Sequence, residues 1–233
     1  MSGWPVGCRD ILRVMNVLLF GATGMVGQGV LRECLHDPTV ARVLAVGRHA
    51  TGQAHEKLRD LVVPDPGDLT AVEPQLTGFD ACFFCLGVTS AGLSEERYTR
   101  LTYDLTLAAA RTLARLDAGM TFVYVSGTGT DSSERGRIMW ARVKGRTENA
   151  LLALPFKAAY MFRPGYIQPL DGIQSRTRWY RVLYAAIASL YPVLKRVFPG
   201  AVTTTAQIGR AMLAVARNGF GRPVLETRDI NGL

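Results

Sequence analysis

The chain has 233 residues, of which 48% are hydrophobic and 20% are charged. This length suits one large domain with a substantial core, and this composition excludes wholesale disorder. The formal net charge is +8, but the basic residues are scattered along the chain, so nucleic acid is not favoured as a partner.

Predicted strands and helices alternate from residue 14 onward, after a lead-in at residues 1–12. The strands are apolar throughout rather than at every second position, which is typical of a parallel sheet covered on both faces. Right-handed crossovers then predict a Rossmann-type, doubly wound α/β fold in a single domain over residues 13–233. The predicted strands are 14–20, 42–46, 61–63, 81–86, 121–125 and 158–162, and the predicted helices are 25–35, 94–116 and 138–152.

The C-terminal third differs from this pattern, and residues 166–205 are predicted to be a small, mainly helical elaboration at the substrate side or at an interface. A long helix is expected over 176–198, with a break or kink at Pro192. Its segment 178–191 begins with basic and aromatic residues and continues apolar, which favours packing over a pocket or in a homodimer but also suits peripheral membrane contact. Hydroxyls at 203–205 could cap a helix that ends near Asn218-Gly219, before a last short strand at 223–226.

Three glycines follow the first strand with the spacing G-x-x-G-x-x-G, at Gly21, Gly24 and Gly27. A strand that turns sharply into a helix needs this arrangement when the helix N-terminus is aimed at a phosphate group. We therefore predict that the loop binds a dinucleotide, with Thr23, Met25 and Val26 also in contact.

Arg48 stands at the end of the second strand, where an acidic residue would favour NAD. A guanidinium can pair with a 2′-phosphate, so we predict NADP as cofactor, the alternative being an exposed loop arginine. Asp68 could bind the adenine amino group or cap a helix. Leu86, Gly87 and Val88 follow the fourth strand and are predicted to approach the dinucleotide.

Four cysteines, Cys8, Cys34, Cys82 and Cys85, are too few for a disulfide framework in a chain of this length. Cys82 and Cys85 have C-x-x-C spacing, but no nearby histidine or second pair completes a zinc site. We interpret them as small buried residues and predict no metal. Neither a signal-peptide core nor an apolar run long enough to span a membrane is evident, so a cytoplasmic location is expected.

Five segments give the sequence a resemblance to a known family: Gly21–Gly27, Cys85–Thr89, Val125-Ser126, Lys144–Glu148 and Phe162–Gly165. The chain resembles the atypical short-chain dehydrogenase/reductases of the NAD-dependent epimerase group, in the branch of the HIV Tat-interacting protein. The resemblance implies NADP(H) binding, contact of Arg163, Pro164 and Gly165 with the cofactor, and catalysis by a serine, a tyrosine and a lysine.

Carried over by position, the resemblance implies that Ser126 binds the substrate oxygen and that Lys144 holds the nicotinamide ribose. Taken alone, Ser126 could be a turn residue and Lys144 a solvated helix residue. The catalytic tyrosine should lie four residues before the lysine, on the same helix face, but Trp140 stands there. An indole N–H can donate a hydrogen bond but cannot relay a proton. Tyr166 is the strongest candidate for a substitute acid, and Tyr103 and Thr128 are weaker ones.

Two functions follow from this pattern. The first is an NADP-dependent oxidoreductase that acts on a small carbonyl, alcohol or sugar-like substrate. The second is an NADP(H)-binding regulator or scaffold with weak or no catalysis, which Trp140 favours and the retained Ser126 and Lys144 disfavour.

Overall fold

The structure is a computed structural model that describes residues 14–170 and 200–233. Four features of the sequence analysis lie outside the described residues: the lead-in at 1–12, Cys8, the predicted helix at 176–198 and its segment 178–191. The roles predicted for that segment in a homodimer or at a membrane therefore stay predictions. Among the helices that the structure does describe, none has the length and apolar character that a membrane crossing needs.

The sheet is formed by seven parallel strands in the order β3-β2-β1-β4-β5-β6-β9, and a separate parallel pair is formed by β7 and β8. The strands are β1 (Met15–Phe20), β2 (Val40–Gly47), β3 (Leu58–Val62), β4 (Ala81–Phe84), β5 (Thr121–Val125), β6 (Ala158–Arg163), β7 (Tyr166–Gln168), β8 (Val202–Thr204) and β9 (Val224–Glu226). From β1 the chain first adds β2 and β3 on one side, and it then returns to add β4, β5, β6 and β9 on the other. This reversal of strand order is that of a doubly wound sheet, so the Rossmann-type fold predicted from the sequence is confirmed.

Helices cover both faces of the sheet. They are α1 (Met25–His36), α2 (Glu95–Thr99), α3 (Leu105–Leu116), α4 (Met139–Leu152), α5 (Thr205–Asn218) and α6 (Thr227–Gly232), with a 3-10 turn at Thr70–Leu76. A π-helical turn, Arg100–Asp104, joins α2 to α3, so the helix predicted over 94–116 is continuous but widened in its middle. Ser94 caps it, since its hydroxyl accepts from Arg97 N at 3.3 Å.

Two apolar layers hold these helices to the sheet. On one face, α1 and α5 pack their buried side chains, among them Val30, Leu31, Ile208 and Met212, against β1, β2 and β4. On the other face, α3 and α4 pack against an aromatic row in which the ring centroids of Phe20 and Phe84 are 5.1 Å apart and those of Phe84 and Phe122 are 5.8 Å apart. Because the central strands β1, β4 and β5 are covered on both faces, their apolar residues need no alternation.

The described part of the predicted elaboration contains strands rather than helix. β7 and β8 pair with Ile167 opposite Thr203, and Thr204 then caps α5 through its hydroxyl, which accepts from Gln207 N at 3.0 Å. β7 and β8 have three residues each and mix polar with apolar side chains, so neither contains an apolar run from which the sequence could predict it. Gly219, at φ 71°, ends α5 where the Asn218-Gly219 pair predicted its end.

Candidate functional site

The candidate site lies along the carboxyl edge of the sheet. Because the seven strands are parallel, the segments that follow β1, β2, β4, β5 and β6 all emerge at this edge. The strand order reverses between β1 and β4, where a doubly wound sheet opens a crevice for its ligand. The predicted cofactor and catalytic residues thus fall into two groups, the glycine loop after β1 and the loop between β5 and α4.

Two positions of the glycine loop have no room for a side chain. Gly21 has φ 80°, and a Cβ there would lie 2.8 Å from the carbonyl carbon of Cys85. A Cβ on Gly27 would lie 2.0 Å from the carbonyl oxygen of Gly21. Gly24 N donates to that same oxygen at 2.9 Å. The loop therefore closes tightly between β4 and α1 because these residues lack side chains.

The N-terminus of α1 is free to receive an anion. Gly24 is its N-cap and provides no side-chain hydrogen bond, and the first turn, which begins with Met25 and Val26, contains no acidic residue. The unpaired N–H groups and the positive end of the helix dipole both favour a phosphate at such a position. The pyrophosphate of a dinucleotide fits these residues.

A cleft beside the loop continues toward the end of β2. It is lined by Gly21, Ala22, Thr23, Ala45, Val46, Gly47, Arg48, His49, Thr51, Pro66 and Leu86. Arg48 is exposed and has no hydrogen bond or ion pair with any other described residue. Its guanidinium is therefore available to a ligand in this cleft.

Four other residues were predicted to contact the cofactor at this end of the site: Asp68, Leu86, Gly87 and Val88. Asp68 is exposed and accepts from Thr70 N at 3.1 Å and from Thr70 Oγ1 at 2.8 Å, and these bonds lower the pKa of its carboxyl group. These bonds form an Asx turn ahead of the 3-10 turn at Thr70–Leu76, whose N-cap residue is Leu69. Leu86 lines the cleft, and Gly87 and Val88 are exposed beside it, with 42% of Val88 accessible.

The second group is centred on Lys144, in the middle of α4. Its Nζ donates a short hydrogen bond to the backbone carbonyl of Ser126, at the end of β5. The side chain is half-buried, and this burial lowers the pKa of Lys144 from its ordinary value to about 8, against the opposing effect of the Glu148 carboxylate. The structure therefore brings the Lys144 ammonium to the backbone of Ser126.

The hydroxyl of Ser126, however, is turned away from solvent. Its Oγ lies 2.5 Å from Glu148 Oε1 and 3.1 Å from the carbonyl oxygen of Phe162, and the residue is 6% exposed. A hydroxyl has one proton to donate, and both neighbours are acceptors inside the protein. In this arrangement the hydroxyl is used to fix the end of β5, which agrees with the turn-residue alternative.

Arg163, at the end of β6, also points inward. Its Nε donates to Glu148 Oε1 at 3.0 Å and to Oε2 at 3.2 Å, and its Nη2 donates to Oε2 in a shorter bond. This bidentate pairing raises the pKa of Arg163. The other two residues predicted to contact the cofactor here have backbone partners in the chain, since Pro164 O accepts from Thr128 N at 2.9 Å and Gly165 N donates to Thr227 Oγ1 at 2.8 Å.

Trp140 stands one helical turn before Lys144 and is half-buried. Its ring covers the loop after β5, since a Cβ on Gly129 would lie 3.5 Å from the indole Cη2. The hydroxyl of Tyr166 donates to Gln168 Oε1 at 3.1 Å, and that of Thr128 donates to Arg163 O at 3.1 Å. The Tyr103 ring carries the Arg146 guanidinium 4.3 Å from its centroid.

The cysteines and histidines add no further chemistry to this edge. Cys34 and Cys82 are buried, and desolvation raises the pKa of each thiol. The three histidines, His36, His49 and His55, are all exposed. Within residues 14–170 and 200–233, no group of three or more histidine, cysteine, aspartate or glutamate side chains could hold a metal ion.

Comparisons of the chain with known proteins identify its relatives, although no family model matches it. Protein fmp52 of Emericella nidulans is 33% identical over 159 residues, which are 65% of this chain and 66% of that protein, and HTATIP2 of Rattus norvegicus is 29% identical over 164 residues, 68% of this chain and 66% of that protein. The chain is an atypical short-chain dehydrogenase/reductase of the HTATIP2-like branch. It spans just under two thirds of the length of these relatives.

Solved structures agree with the fold of this short-chain dehydrogenase/reductase. A short-chain dehydrogenase family protein of Francisella tularensis superposes with a TM-score of 0.64 at 15% identity, over 88% of this chain and 92% of that one. The enzyme WbmF of Bordetella bronchiseptica, in complex with NADH, superposes with a TM-score of 0.65 at 16% identity, over 95% of this chain and 76% of that one.

The expected cytoplasmic location is contradicted by these comparisons. The fmp52 proteins of Emericella nidulans, Aspergillus terreus and Aspergillus fumigatus are all mitochondrial by name. The expectation rested on the lack of a signal-peptide core and of a membrane-spanning apolar run, and neither criterion bears on import into mitochondria, whose targeting segments are amphipathic.

Glu148 is the residue of this site whose role was not predicted from the sequence, where it stands only as the end of the Lys144–Glu148 segment. Two signals could have identified it: it lies four residues after Lys144, on the same face of α4, and β6 ends in an arginine. Its carboxylate is 1% exposed and contacts both Ser126 and Arg163.

Proposed function

We propose that the chain binds a nicotinamide dinucleotide along the carboxyl edge of its sheet, with NADP(H) preferred over NAD(H). The observation that carries this proposal is the uncapped N-terminus of α1 behind a loop with no room for side chains at Gly21 and Gly27. Arg48 supports the preference for NADP(H), since it stands in the adjoining cleft without a partner among the described residues.

We further propose that the chain is an oxidoreductase for a small carbonyl, alcohol or sugar-like substrate. When bound, a nicotinamide would supply hydride chemistry. Lys144 would hold the ribose with an ammonium that is itself held at the end of β5, and Trp140 would form a wall of the substrate site above the Gly129 loop. Tyr166 remains the proposed proton donor, and Pro164 and Gly165 remain proposed neighbours of the cofactor.

A second candidate function is a dinucleotide-binding regulator without efficient catalysis. Two observations favour it: an indole occupies the position of the family's general acid, and the Ser126 hydroxyl is bound to Glu148 rather than open to a ligand. Bound NADPH that is not consumed with any carbonyl compound would favour this function over the oxidoreductase.

We also propose a mitochondrial location, because the fmp52 relatives carry that location in their names. Subcellular fractionation of cells that produce the full chain with a C-terminal tag tests this. Recovery with mitochondrial markers supports the proposal, and recovery with cytosolic markers contradicts it.

The binding proposal is tested by fluorescence titration of the purified chain with NADPH and with NADH. We expect tighter binding of NADPH, and we expect Arg48→Asp to weaken NADPH binding by about 10- to 100-fold, the range for a lost hydrogen bond to a charged group. NADH binding should change much less. Arg111→Asp, at an exposed arginine of α3, makes the same charge change away from the cleft and is the matched control.

Absence of binding for both dinucleotides would refute the dinucleotide site altogether. Equal losses for NADPH and NADH in Arg48→Asp would instead refute only the role assigned to Arg48. Equal effects of Arg48→Asp and Arg111→Asp would show that net charge, not the position of Arg48, governs affinity.

A further inference from the structure

A buried network joins three elements behind the Lys144 ammonium. The Glu148 carboxylate of α4 contacts the Ser126 hydroxyl at the end of β5 and the Arg163 guanidinium at the end of β6. The backbone carbonyl of Ser126 in turn accepts from Lys144. Glu148 is therefore linked through one residue, Ser126, to the cation proposed to hold the cofactor.

The charges of this network show why a carboxylate is present in so buried a place. Arg163 is 11% exposed and Glu148 is 1% exposed, so each needs the other to offset the loss of hydration. Arg163 has a further carboxylate within reach, since its Nη1 lies 3.4 Å from Glu226 Oε1. Two effects oppose each other at Lys144: burial disfavours its ammonium form, and the negative charge of Glu148 favours it.

We propose that Glu148 is a positioning residue for the cofactor-binding lysine. Glu148 is held in place by its ion pair with Arg163 and accepts a hydrogen bond from the Ser126 hydroxyl. This bond fixes Ser126 so that its backbone carbonyl points toward the Lys144 ammonium. This inference rests on the proposed dinucleotide site, which it deepens. It changes the role implied for Ser126, whose hydroxyl acts through Lys144 and not on the substrate.

Glu148, on α4, is the carboxylate that acts on the charge of Lys144. The titratable groups on the neighbouring strands do not take over this role. From β5, Tyr124 is buried, and desolvation raises the pKa of its phenol, so it stays neutral. From β6, Arg163 faces Glu148, and from β9, Glu226 faces Arg163. Replacing Glu148 therefore removes the attraction that keeps Lys144 protonated, whereas replacing Glu226 does not touch it.

The first experiment measures Lys144 itself, without any dinucleotide. Competitive acetylation with isotope-labelled acetic anhydride, followed by mass spectrometry, gives the apparent pKa of the lysine in the folded full-length chain. In Glu148→Gln we expect this pKa to fall by about one unit, the lower end of the effect of a nearby opposite charge. Glu226→Gln is the matched control, because it makes the same change against the same arginine and should leave the lysine unaffected.

The second experiment is an NADPH titration of the same variants at pH 8. A decrease of about one unit from a pKa near 8 leaves about a tenth of the lysine protonated, compared with half in the natural chain. We therefore expect binding about five-fold weaker in Glu148→Gln and unchanged in Glu226→Gln. Glu148→Asp, which keeps the charge, should recover most of the lysine pKa.

Because Glu148→Gln leaves the Arg163 charge without its main partner, this variant could fail to fold. The double variant Glu148→Gln with Arg163→Met removes both charges and serves in its place. It should show the same lowered lysine pKa, since Arg163 is not among the causes of the Lys144 shift.

A folded Glu148 variant whose lysine titrates as in Glu226→Gln would overturn the positioning role. A chain that binds no dinucleotide but shows the expected lysine titration would refute the dinucleotide site alone, and the link between Glu148 and Lys144 would stand. The two failures are therefore distinguishable.

Discussion

The glycine loop after β1 and the loop between β5 and α4 lie at the same edge of one sheet but are built differently. The first is formed by backbone, with Gly21 and Gly27 allowing close approach and Gly24 leaving the α1 N-terminus uncapped. The second is formed by side chains that bind one another, with Ser126, Glu148 and Arg163 in one buried network. A loop made of backbone has no room for a side chain at its tight glycines, whereas a network of side chains can retain its fold while its chemistry changes.

Under the proposed function, this difference would let one chain combine an intact cofactor loop with an altered catalytic position. Trp140 lies one helical turn before Lys144, whose Nζ is bound to the Ser126 carbonyl. Binding and proton transfer would then be separable, and substitutions confined to one loop or the other test that separation.

The largest effect is expected from Gly27→Ala. Its Cβ would lie 2.0 Å from the carbonyl oxygen of Gly21, so the loop or α1 must move. Overpacking of this kind costs about 1–3 kcal/mol or more, and the displacement should abolish measurable NADPH binding. Thermal unfolding and fluorescence titration measure the two effects.

The matched control for this prediction is Gly221→Ala, the same substitution at an exposed glycine that precedes β9, away from the carboxyl edge of the sheet. A Cβ on Gly221 would meet no heavy atom within 4 Å, so stability and binding should be nearly unchanged. Gly27→Ala and Gly221→Ala with the same NADPH affinity would contradict the tight loop as the basis of binding.

The contrast between the two loops also separates what the sequence could predict from what it could not. Burial between two helical layers produces the apolar runs, and the tight turn after β1 requires the glycine spacing, so the seven sheet strands and the glycine loop were predictable. The direction of the Ser126 hydroxyl depends on Glu148 and on the Phe162 carbonyl, 22 and 36 residues away. No local pattern encodes such a contact.

Asp68 shows the same limit on a smaller scale. Its position after β3 suits either a cofactor contact or a cap, and only the conformation of the following turn distinguishes the two. In the structure its carboxylate accepts from Thr70, two residues on, in an Asx turn. When two roles fit the same position in the sequence, only the folded structure can show which contacts the residue makes.

The next effect concerns Trp140→Tyr, which tests the altered loop alone. It places a phenol one helical turn before the Lys144 ammonium, whose charge favours the ionised phenol and makes it a better acid near neutral pH. General acid–base catalysis contributes about 10²–10⁴-fold, so turnover of a carbonyl substrate with NADPH should rise about 100-fold while NADPH affinity stays unchanged. Loss of nicotinamide absorbance measures turnover.

Trp140→Phe is the control for this substitution, because it changes the size of the ring without adding a hydroxyl. An equal rise in both variants would mean that the indole obstructs substrate, and not that a proton donor is missing. No rise in Trp140→Tyr, with NADPH still bound, would favour the regulator over the oxidoreductase.

The smallest effect is the pH dependence of cofactor binding, which connects the two loops. Burial lowers the pKa of Lys144 to about 8, so its ammonium is mostly present below pH 8 and is lost as the pH rises through that value. If the ammonium holds the ribose, NADPH affinity should fall between pH 7 and pH 9 by at most about ten-fold, the change in the protonated fraction. Titrations at half-unit intervals measure this.

Lys144→Met should bind NADPH weakly and equally across this range, because the titrating group is gone. Lys157→Met removes an exposed lysine from the start of β6 and should keep the full pH dependence of the natural chain. An affinity that is constant from pH 7 to pH 9 in the natural chain would mean that Lys144 does not contact the cofactor. In that case the glycine loop would bind the dinucleotide without help from α4, and the two loops would be independent in binding as well as in chemistry.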